Sequence, residues 1–585
     1  MNMFSKLGWF FKQHIREYMV GILMLILISL ITAYVPIIIG QVIDGMNAST
    51  LTRNDLTIYA GMLLFIAIAQ YFMRYIWRTK IFGTAAKLEN ILRRQLFEHF
   101  TKMDAIFFQK YRTGDLMARC TNDLRAIQMV AGAGILTLVD SMSQGLLTLF
   151  MMFFLVDWRL SLVSIIPIPL LYFLIRHVGS KLNYHSRKAQ AAFSNLNNKV
   201  QESVTGVKVI KTFGEEELDI EDFNRLTQQV VDKNQKVYQY DATFMPVGRM
   251  IMGLATVISI FYGGFLVANG QITIGLLVAF ISYLTRLMWP MIAIGRLFNI
   301  LERGAASYDR IQSILDEKSH IIEAPNAIEA PIRGSLSVDI QEFIYPGESA
   351  PALQDIQFNL KAGQTLGVVG KTGSGKTTIF KLLLREYDRF KGTIEYDHQN
   401  IKDYSLDALL RRIGYVPQDN FLFSTTVRDN IRFANMESTQ EEVEAAAKLV
   451  SVHDDILRFS QGYDTLVGER GVALSGGQKQ RIAMARAMII DPALLILDDS
   501  LSAVDAKTEE RIVQSIKQNR SNKTTIISAH RLSSVMHADE IIVVDQGRIT
   551  ERGNHDELIA IGGWYREMFE HQQLEASETF EEEEV

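Results

Sequence analysis

The stretch "TLGVVGKTGSGKTTIFKLLLREYD" (Thr365–Asp388) changes character twice along its length. It opens with a short apolar run, passes through a glycine-rich loop, and continues with apolar residues at helical spacing. The loop, Gly370–Thr377, fits the pattern G-x-x-x-x-G-K-[ST]. A buried strand, this loop and a helix, in that order, are typical of an α/β domain that cradles phosphates. We therefore predict a wound α/β nucleotide-binding domain around this stretch.

The loop residues suit the phosphates of ATP and a Mg²⁺ ion. The backbone N–H groups of Gly373–Thr378 would lie at a helix N-terminus, where the helix dipole favours negative charge. The Lys376 ammonium would contact the β- and γ-phosphates, and the Thr377 hydroxyl would bind Mg²⁺. The predicted nucleotide ligands in the loop are Gly370, Thr372, Gly373, Ser374, Gly375, Lys376, Thr377 and Thr378.

A second apolar run ends in two acids. In "LLILDDSLSAVD" (Leu494–Asp505), a segment with the composition of a buried parallel strand leads into Asp498 and Asp499. We expect the Asp498 carboxylate to hold Mg²⁺. A strand-end aspartate that caps a helix would explain this segment alone, but it explains it less well once the glycine-rich loop is considered.

A further motif, "LSGGQKQR" (Leu474–Arg481), lies between these two. Its glycines permit close backbone approach, and its serine precedes a helix whose first amides are free. The predicted phosphate ligands of this motif are Ser475, Gly476, Gly477 and Gln478. One chain cannot easily place both phosphate-binding devices on one γ-phosphate. Two such domains, packed head to tail, could enclose ATP between the loop of one and the LSGGQ of the other.

The N-terminal half of the chain has a membrane character. Hydrophobic residues make up 48% of the chain, and the mean hydropathy is +0.09. A helix of about 20 residues crosses a hydrocarbon core of about 30 Å. Six predicted spans meet this length: Met19–Gly40, Leu56–Ile76, Ala131–Val156, Leu160–Val178, Val247–Asn269 and Ile272–Asn299.

The connections between these spans predict their orientation. The short ones carry little positive charge, whereas Trp77–Val130 and Gly179–Pro246 are long and rich in Lys and Arg. The positive-inside rule therefore places the long connections, the N-terminus and the nucleotide-binding domain in the cytoplasm of a bacterial cell. We expect the spans to continue as helices into the cytoplasm and to turn at two tips, Gln109–Leu124 and Val204–Glu217.

These features predict five parts. They are an amphipathic segment suited to the membrane surface (1–18), a six-helix transmembrane domain with long cytoplasmic extensions (19–301), a linker (302–334), an α/β nucleotide-binding domain (335–570) and an acidic tail without regular structure (571–585). The net charge of -5 argues against a nucleic-acid partner. The single cysteine, Cys120, excludes an intrachain disulfide and a cysteine cluster that binds metal.

In their order and content, these motifs resemble the ABC exporters of the half-transporter type over nearly the whole chain. The resemblance implies the type IV exporter fold and ATP hydrolysis coupled to transport. It implies that Tyr345 stacks on adenine, that Gln418 binds Mg²⁺ and the attacking water, and that His530 contacts the γ-phosphate. It also assigns Val467–Gly471 to a loop beside the cytoplasmic tips and Ser502–Asp505 to the D-loop.

The chain departs from the family pattern at Asp499, where the family has a catalytic glutamate. A base must lie within about 2.6–3.2 Å of its proton, and a misplacement near 1 Å can cost about 100-fold in rate. The shorter carboxylate therefore predicts a site that binds ATP but hydrolyses it poorly. The chain looks most like the BmrC-type subunit of bacterial heterodimeric multidrug exporters, which implies a BmrD-type partner with a consensus Asp-Glu. If aspartate works nearly as well here, a homodimer is the alternative.

The sequence says less about the transported substrate. Asp140 and Arg286 fall inside predicted spans, where ionisable groups face a cavity or a partner. They could contact substrate, pair with the other subunit, or be structural. Pro290, within Met288–Met291, predicts a kink in an adaptable apolar surface. We expect small amphipathic drugs as substrates and membrane lipid as surroundings. A lipid or peptide exporter is the alternative, and a regulatory protein that transports nothing is disfavoured by the coupling elements.

Overall fold

The computed structural model describes residues 3–468 and 474–583, without the side chains of residues 171–172, 174–176, 244–245 and 575–583. The chain forms two compact units. One contains Met1–Thr101 and Gly114–Glu317, and the other contains Lys102–Thr113 and Lys318–Val585. A short segment between the predicted second and third spans therefore packs with the C-terminal half of the chain.

The first unit is helical. Its α-helices, with α5 of the second unit included in the numbering, are α1 (Met3–Lys6), α2 (Gly8–Gln13), α3 (Ile15–Asn47), α4 (Arg53–Phe100), α5 (Ala105–Lys110), α6 (Thr113–Ala118), α7 (Leu124–Met129), α8 (Ile135–Phe150), α9 (Trp158–Ile165), α10 (Pro169–Thr205), α11 (Val207–Phe213), α12 (Glu216–Ala268), α13 (Ile274–Arg286) and α14 (Met288–Leu315). The π-helical turns Arg119–Asp123, Val130–Gly134 and Met151–Val156 join α6, α7 and α8 into one long helix.

Five of these helical segments are long and apolar enough to cross a membrane, counted over the described residues. They contain the first, second, third, fifth and sixth predicted spans. The fourth predicted span, Leu160–Val178, is divided between α9 and α10. The break lies at Pro167 and Pro169, whose missing N–H groups interrupt the helical hydrogen bonds.

Two close contacts join α3 to α13. A Cβ on Gly275 would lie 2.0 Å from the Gly40 carbonyl oxygen, so only glycine fits there. The Asp44 carboxylate accepts hydrogen bonds from the Thr273 hydroxyl and the Gly275 N–H, at 2.6 and 2.7 Å. The Arg286 guanidinium donates to the Thr32 carbonyl at 2.7 Å, which supports a structural role for this intramembrane arginine.

The predicted kink lies where the sequence places it. α13 ends at Arg286 and α14 begins at Met288, so the helix breaks immediately before Pro290 in the first turn of α14. Asp140, the other intramembrane residue singled out from the sequence, accepts a hydrogen bond from Gln144 on its own helix at 2.6 Å. α14 then continues through Glu302 into the segment expected to be a linker.

The two helical turns expected as cytoplasmic tips differ in how well they were predicted. α11 (Val207–Phe213) lies within the expected tip Val204–Glu217 and ends at Gly214 with a φ of 67°. The expected tip Gln109–Leu124 is misplaced, because the turn carries α5 and α6 begins at Thr113. The Asp104 side chain starts α5 early by accepting a hydrogen bond from the Phe107 N–H at 3.0 Å.

The second unit is the predicted α/β domain. Its strands are β1 (Leu336–Phe343), β2 (Leu353–Leu360), β3 (Thr365–Val369), β4 (Lys391–Tyr396), β5 (Gln399–Asn400), β6 (Ile413–Val416), β7 (Leu494–Asp498), β8 (Thr524–Ser528), β9 (Glu540–Asp545) and β10 (Arg548–Gly553). Its further helices are α15 (Lys376–Leu383), α16 (Leu406–Leu410), α17 (Val427–Ile431), α18 (Gln440–Leu449), α19 (His453–Leu457), α20 (Gly476–Met488), α21 (Ala506–Asn519), α22 (His555–Ile561) and α23 (Trp564–Glu583).

The strands form two sheets. An antiparallel sheet has the order β2-β1-β4-β5, and a second sheet has the order β10-β9-β3-β8-β7-β6. In the second sheet β9, β3, β8, β7 and β6 are parallel, and β10 is antiparallel. Every residue of β7 and β8 is buried, which fits the apolar run Leu494–Leu497 of β7. Because parallel strands end at the same edge, the residues that follow β3, β7 and β8 converge.

The acidic tail differs from expectation. α23 continues to Glu583, so most of the segment 571–585 is helical rather than irregular. The first turns of α23 explain why a helix begins here. Tyr565 is fully buried, and its hydroxyl is 2.8 Å from His555 Nδ1.

Candidate functional site

The glycine-rich loop connects β3 to α15 as predicted. Gly370, Gly373 and Gly375 have φ values of 148°, 80° and 109°, which favour glycine. A Cβ on Gly370 would lie 2.1 Å from the Val544 carbonyl oxygen. The loop therefore needs its glycines both for backbone conformation and for close packing against β9.

Lys376 lies at the start of α15, and its ammonium folds back over the loop. It donates hydrogen bonds to the Gly370 and Lys371 carbonyls at 2.8 and 2.9 Å. Burial lowers the pKa of this ammonium, and the nearby Asp499 and Asp498 carboxylates oppose that shift. The cation is thus held at the mouth of the loop, where a phosphate would bind.

The two acids occupy the end of β7. Burial raises the pKa of the Asp498 carboxyl, and the Asp499 carboxylate adds to that shift, whereas a hydrogen bond with Thr377 and the Lys376 charge oppose it. The Tyr415 hydroxyl is 3.5 Å from Asp498 Oδ2. Asp499 has a φ of 47°, and its N–H donates to the Ser528 carbonyl at 3.0 Å. The strained backbone at Asp499 turns its side chain away from the strand.

Three predicted catalytic side chains meet beside the loop. Gln418 Nε2 is 3.3 Å from Asp499 Oδ2, and His530 Nε2 is 3.8 Å from the same oxygen. The cavity between them has a volume of about 160 Å³. Its lining residues are Thr372, Gly373, Ser374, Gly375, Lys376, Thr377, Thr378, Gln418, Asp498, Asp499, Ser528 and His530.

The sequence analysis missed Ser528 as a lining residue. Its hydroxyl is buried and, among the described residues, makes no hydrogen bond; the same is true of the Ser374 hydroxyl. Buried hydroxyls usually have a partner, so two without one in the same cavity point to a polar ligand. Together with the cation and the glycine turns, they fit the phosphates of ATP. The only sequence signal for Ser528 was its position two residues before His530.

Tyr345 does not line this cavity. Its hydroxyl is 2.9 Å from Thr378 Oγ1, and its ring packs edge-on against Phe343 and Tyr387, with centroids 4.9 and 5.5 Å away. The ring therefore lies beside the helix that carries the loop residues. That position is compatible with the expected adenine contact.

The LSGGQ residues are also outside this cavity, as the head-to-tail arrangement requires. Ser475 Oγ accepts a hydrogen bond from the Gln478 N–H, and Gln478 Oε1 accepts one from the Ser475 N–H, at 3.3 and 3.1 Å. This reciprocal cap begins α20 and occupies one of the amides that the sequence suggested were free. Of the expected loop Val467–Gly471, residues 469–471 lie outside the described part of the chain.

The D-loop connects these two regions. Ser502 Oγ donates to the Asp499 carbonyl at 3.0 Å, and the Ala503 N–H donates to Gln480 Oε1 on α20 at 3.2 Å. A Cβ on Gly477 would lie 2.8 Å from the Ala503 carbonyl oxygen. The segment after the acids is therefore packed directly against the LSGGQ helix of the same chain.

Comparison with known proteins identifies the class of protein that this fold and this site define. The family ABC transporter transmembrane region matches residues 18–291, and the family ABC transporter matches residues 353–502. The chain belongs to the ABC transporter family, with the type IV exporter fold and the architecture of an exporter half-transporter. It is a multi-pass membrane protein whose ATP-binding domain couples ATP hydrolysis to transport.

Particular relatives match along their whole length. The "Probable multidrug resistance ABC transporter ATP-binding/permease protein YheI" of Bacillus subtilis (strain 168) is 45% identical, over 99% of both chains. The "Multidrug resistance-like ATP-binding protein MdlA" of Escherichia coli (strain K12) is 42% identical, over 99% of this chain and 98% of the other. The "Structure of a bacterial Atm1-family ABC exporter with ATP bound" has a TM-score of 0.76 at 26% identity, and covers 95% of this chain and 98% of the other.

Proposed function

We propose that this chain is the degenerate-site subunit of a heterodimeric multidrug exporter. Its own site would bind ATP and hydrolyse it slowly, while its LSGGQ completes the active site of a partner subunit. The observation that carries the proposal is Asp499, which stands where the family has a catalytic glutamate. Its Oδ2 lies within hydrogen-bond reach of Gln418 Nε2 and 3.8 Å from His530 Nε2.

An aspartate at position 499 changes the reach of the side chain and leaves its charge the same. An aspartate carboxylate ends one methylene closer to the backbone than a glutamate carboxylate. The Asp499 N–H is bonded to Ser528 at the end of β8, so the backbone has little freedom to advance the side chain. The attacking water would then lie beyond the range in which a base takes a proton. ATP binding, which depends on the loop and on Lys376, should persist.

The LSGGQ supports a role in the other site. Its serine and glycines keep the sequence and the helix start that phosphate binding needs. They lie outside the cavity of their own loop. The catalytic acid of this chain, Asp499, is too short, whereas its LSGGQ is intact. An intact LSGGQ is then useful only if another chain supplies a functional glycine-rich loop and a catalytic glutamate.

The residues also fit a Mg²⁺ ion. We assign Thr377, Gln418 and Asp498 as its protein ligands, because oxygen donors with few carboxylates suit this ion when phosphates complete its shell. All three line the cavity, and Thr377 is hydrogen-bonded to Asp498. When bound, the ion would neutralise charge on the β- and γ-phosphates.

For the cargo, we propose small amphipathic drugs moved out across a bacterial cytoplasmic membrane, with the N-terminus and nucleotide-binding domain in the cytoplasm. The two relatives named above are described as multidrug resistance proteins. The adaptable apolar surface around Met288–Met291 is consistent with varied ligands. A lipid or peptide exporter of the same architecture remains the second candidate.

The test is reconstitution. The purified chain is placed in vesicles alone, and together with a homologous half-transporter that carries Asp-Glu at the end of its Walker strand. ATP-dependent uptake of an amphipathic dye into inside-out vesicles should require both chains. Equal uptake and ATPase by the single chain would contradict the heterodimer. Transport of a fluorescent phospholipid without dye transport would favour the second candidate.

A further inference from the structure

The loop that carries His530 is held from behind by the C-terminal helix. Gln572, on α23, donates from Nε2 to the His530 carbonyl at 2.8 Å. Its Oε1 accepts from the Leu532 N–H at 2.9 Å. One side-chain amide therefore bonds to two peptide groups that flank Arg531.

The geometry fixes the orientation of this amide. The His530 carbonyl can only accept, and the Leu532 N–H can only donate. Only one of the two amide orientations satisfies both, so the assignment of Nε2 and Oε1 follows from the partners themselves. Gln572 thus forms two simultaneous hydrogen bonds, each with a backbone group that cannot rotate away.

A second anchor holds the residues after His530. The Arg531 guanidinium donates to Glu509 Oε2 and to the Val504 carbonyl, at 2.9 and 3.1 Å. The Ser534 hydroxyl also bonds to Glu509. These contacts tie the loop to α21 and the D-loop. They hold the chain after His530, whereas Gln572 holds the carbonyl of His530 itself.

We propose that Gln572 is a positioning residue for His530. The peptide groups on either side of Cα set the direction in which the His530 side chain leaves the backbone. Gln572 fixes the peptide group that follows His530, through its carbonyl. The proposal rests on the assignment of His530 to the γ-phosphate in the proposed function. Gln572 then acts on ATP but not on ADP, because only ATP reaches His530.

The test measures the affinity of the full-length chain in lipid nanodiscs for MgATP and for MgADP, by competition with a fluorescent nucleotide. Gln572→Ala removes both hydrogen bonds and should weaken ATP binding by about two- to tenfold, because His530 is then held less firmly, and it should leave ADP binding unchanged. Gln572→Glu keeps the size and the acceptor but removes the donor to the His530 carbonyl. It should weaken ATP at least as much.

Three controls separate the possible explanations. Gln573→Ala changes the exposed neighbour on α23 and should alter neither affinity. His530→Ala should weaken ATP selectively, and adding Gln572→Ala to it should have no further effect. If His530→Ala leaves the ATP-to-ADP ratio unchanged, the assignment of His530 is wrong. If it lowers the ratio but Gln572→Ala does not, or weakens both nucleotides equally, or adds to His530→Ala, the proposal for Gln572 is overturned.

Discussion

At Asp499 the proposed function depends on one methylene group, by which aspartate is shorter than the glutamate expected at this position. The carboxylate is already beside Gln418 and His530, so the charge is in the right cavity. The φ of 47° lies in the left-handed region, which aspartate tolerates better than glutamate. A comparison of the two residues at this position therefore tests the reach of the side chain together with a small backbone cost for glutamate.

Asp499→Glu should let this site hydrolyse ATP. The measurement uses the heterodimer in which the partner's catalytic glutamate is neutralised, so that the remaining ATPase comes from this site. We expect the residual rate to rise by about tenfold or more, because the longer side chain restores the position of the base.

Asp499→Asn is the matched control in the unmodified heterodimer. It keeps the size and removes the basic carboxylate, and it should change total turnover little if, as proposed, the efficient site is built on the partner's Walker loop. A large loss with asparagine, together with no gain from glutamate, would mean that Asp499 is already a competent base. A homodimer would then be the better description.

Much of the cavity could be predicted because its residues belong to contiguous motifs. The loop Gly370–Thr378 and the acids after β7 have local patterns that specify strand, turn and helix together. Ser528 and Gln572 could not be found in this way. The first has no motif beyond its place before His530, and the second contacts a loop about 40 residues earlier in the chain. Such contacts depend on how the helices pack, which no local pattern encodes.

Among the elements, α20 carries in its first turn the phosphate contact that is proposed for the partner's nucleotide. Ser475→Arg replaces its cap with a bulky cation and should block the approach of the partner's nucleotide. It should depress heterodimer ATPase more than Lys376→Ala, which weakens only this chain's own slow site. The check is steady-state ATPase of the two variants side by side.

A further variant controls for the loss of a helix cap in the comparison of Ser475→Arg with Lys376→Ala. Thr439→Ala removes the equivalent reciprocal cap at the start of α18. It should cost about 1 kcal/mol of stability and little ATPase. If Lys376→Ala proves more damaging than Ser475→Arg, the two sites have been assigned to the wrong chains.

The bounds of the short helix α5 could not be predicted from the sequence. No glycine or proline marks its start, and the signal is the single side chain of Asp104. That carboxylate caps α5 and also accepts from the Ser319 hydroxyl, at 3.1 Å, and from the His320 N–H. These hydrogen bonds lower the pKa of Asp104 against the opposing effect of burial, which is the largest single contribution. Helical periodicity in a sequence does not show that the capping residue, Asp104, also bonds to Ser319 and His320, which are distant in the chain.

Asp104→Ala should therefore loosen α5 from its unit. It removes a helix cap, worth about 1 kcal/mol, and it takes an acceptor from the half-buried Ser319 hydroxyl and the exposed His320 N–H, which adds less because water can reach these donors. We expect a lower thermal midpoint of the purified chain and faster proteolysis between α4 and α6. Asp115→Ala, an exposed aspartate on α6, is the matched control and should behave as wild type. An equal effect of both changes would contradict the role of Asp104.

For the whole molecule, the proposed orientation in the membrane rests on the charge of the connections and can be measured directly. With Cys120 replaced by serine, single cysteines at Thr50 and Val209 report on opposite ends of the long helices, since both positions are exposed. In intact cells an impermeant maleimide should label Thr50→Cys and not Val209→Cys. After permeabilisation both should react. Labelling of Val209→Cys in intact cells would invert the proposed topology.

The cap of α20 has a consequence for which substitutions the whole assembly could tolerate. Ser475 Oγ accepts from the Gln478 N–H, so its own hydrogen remains free to donate. Asp, Asn, Ser and Thr all start helices well, so the fold would accept any of them at this position. An aspartate, however, has no hydrogen to donate to a phosphate oxygen and adds a like charge. Variation at position 475 would thus be narrowed twice, first by the helix to these four residue types, and then by the nucleotide of the proposed partner chain to the three that can donate.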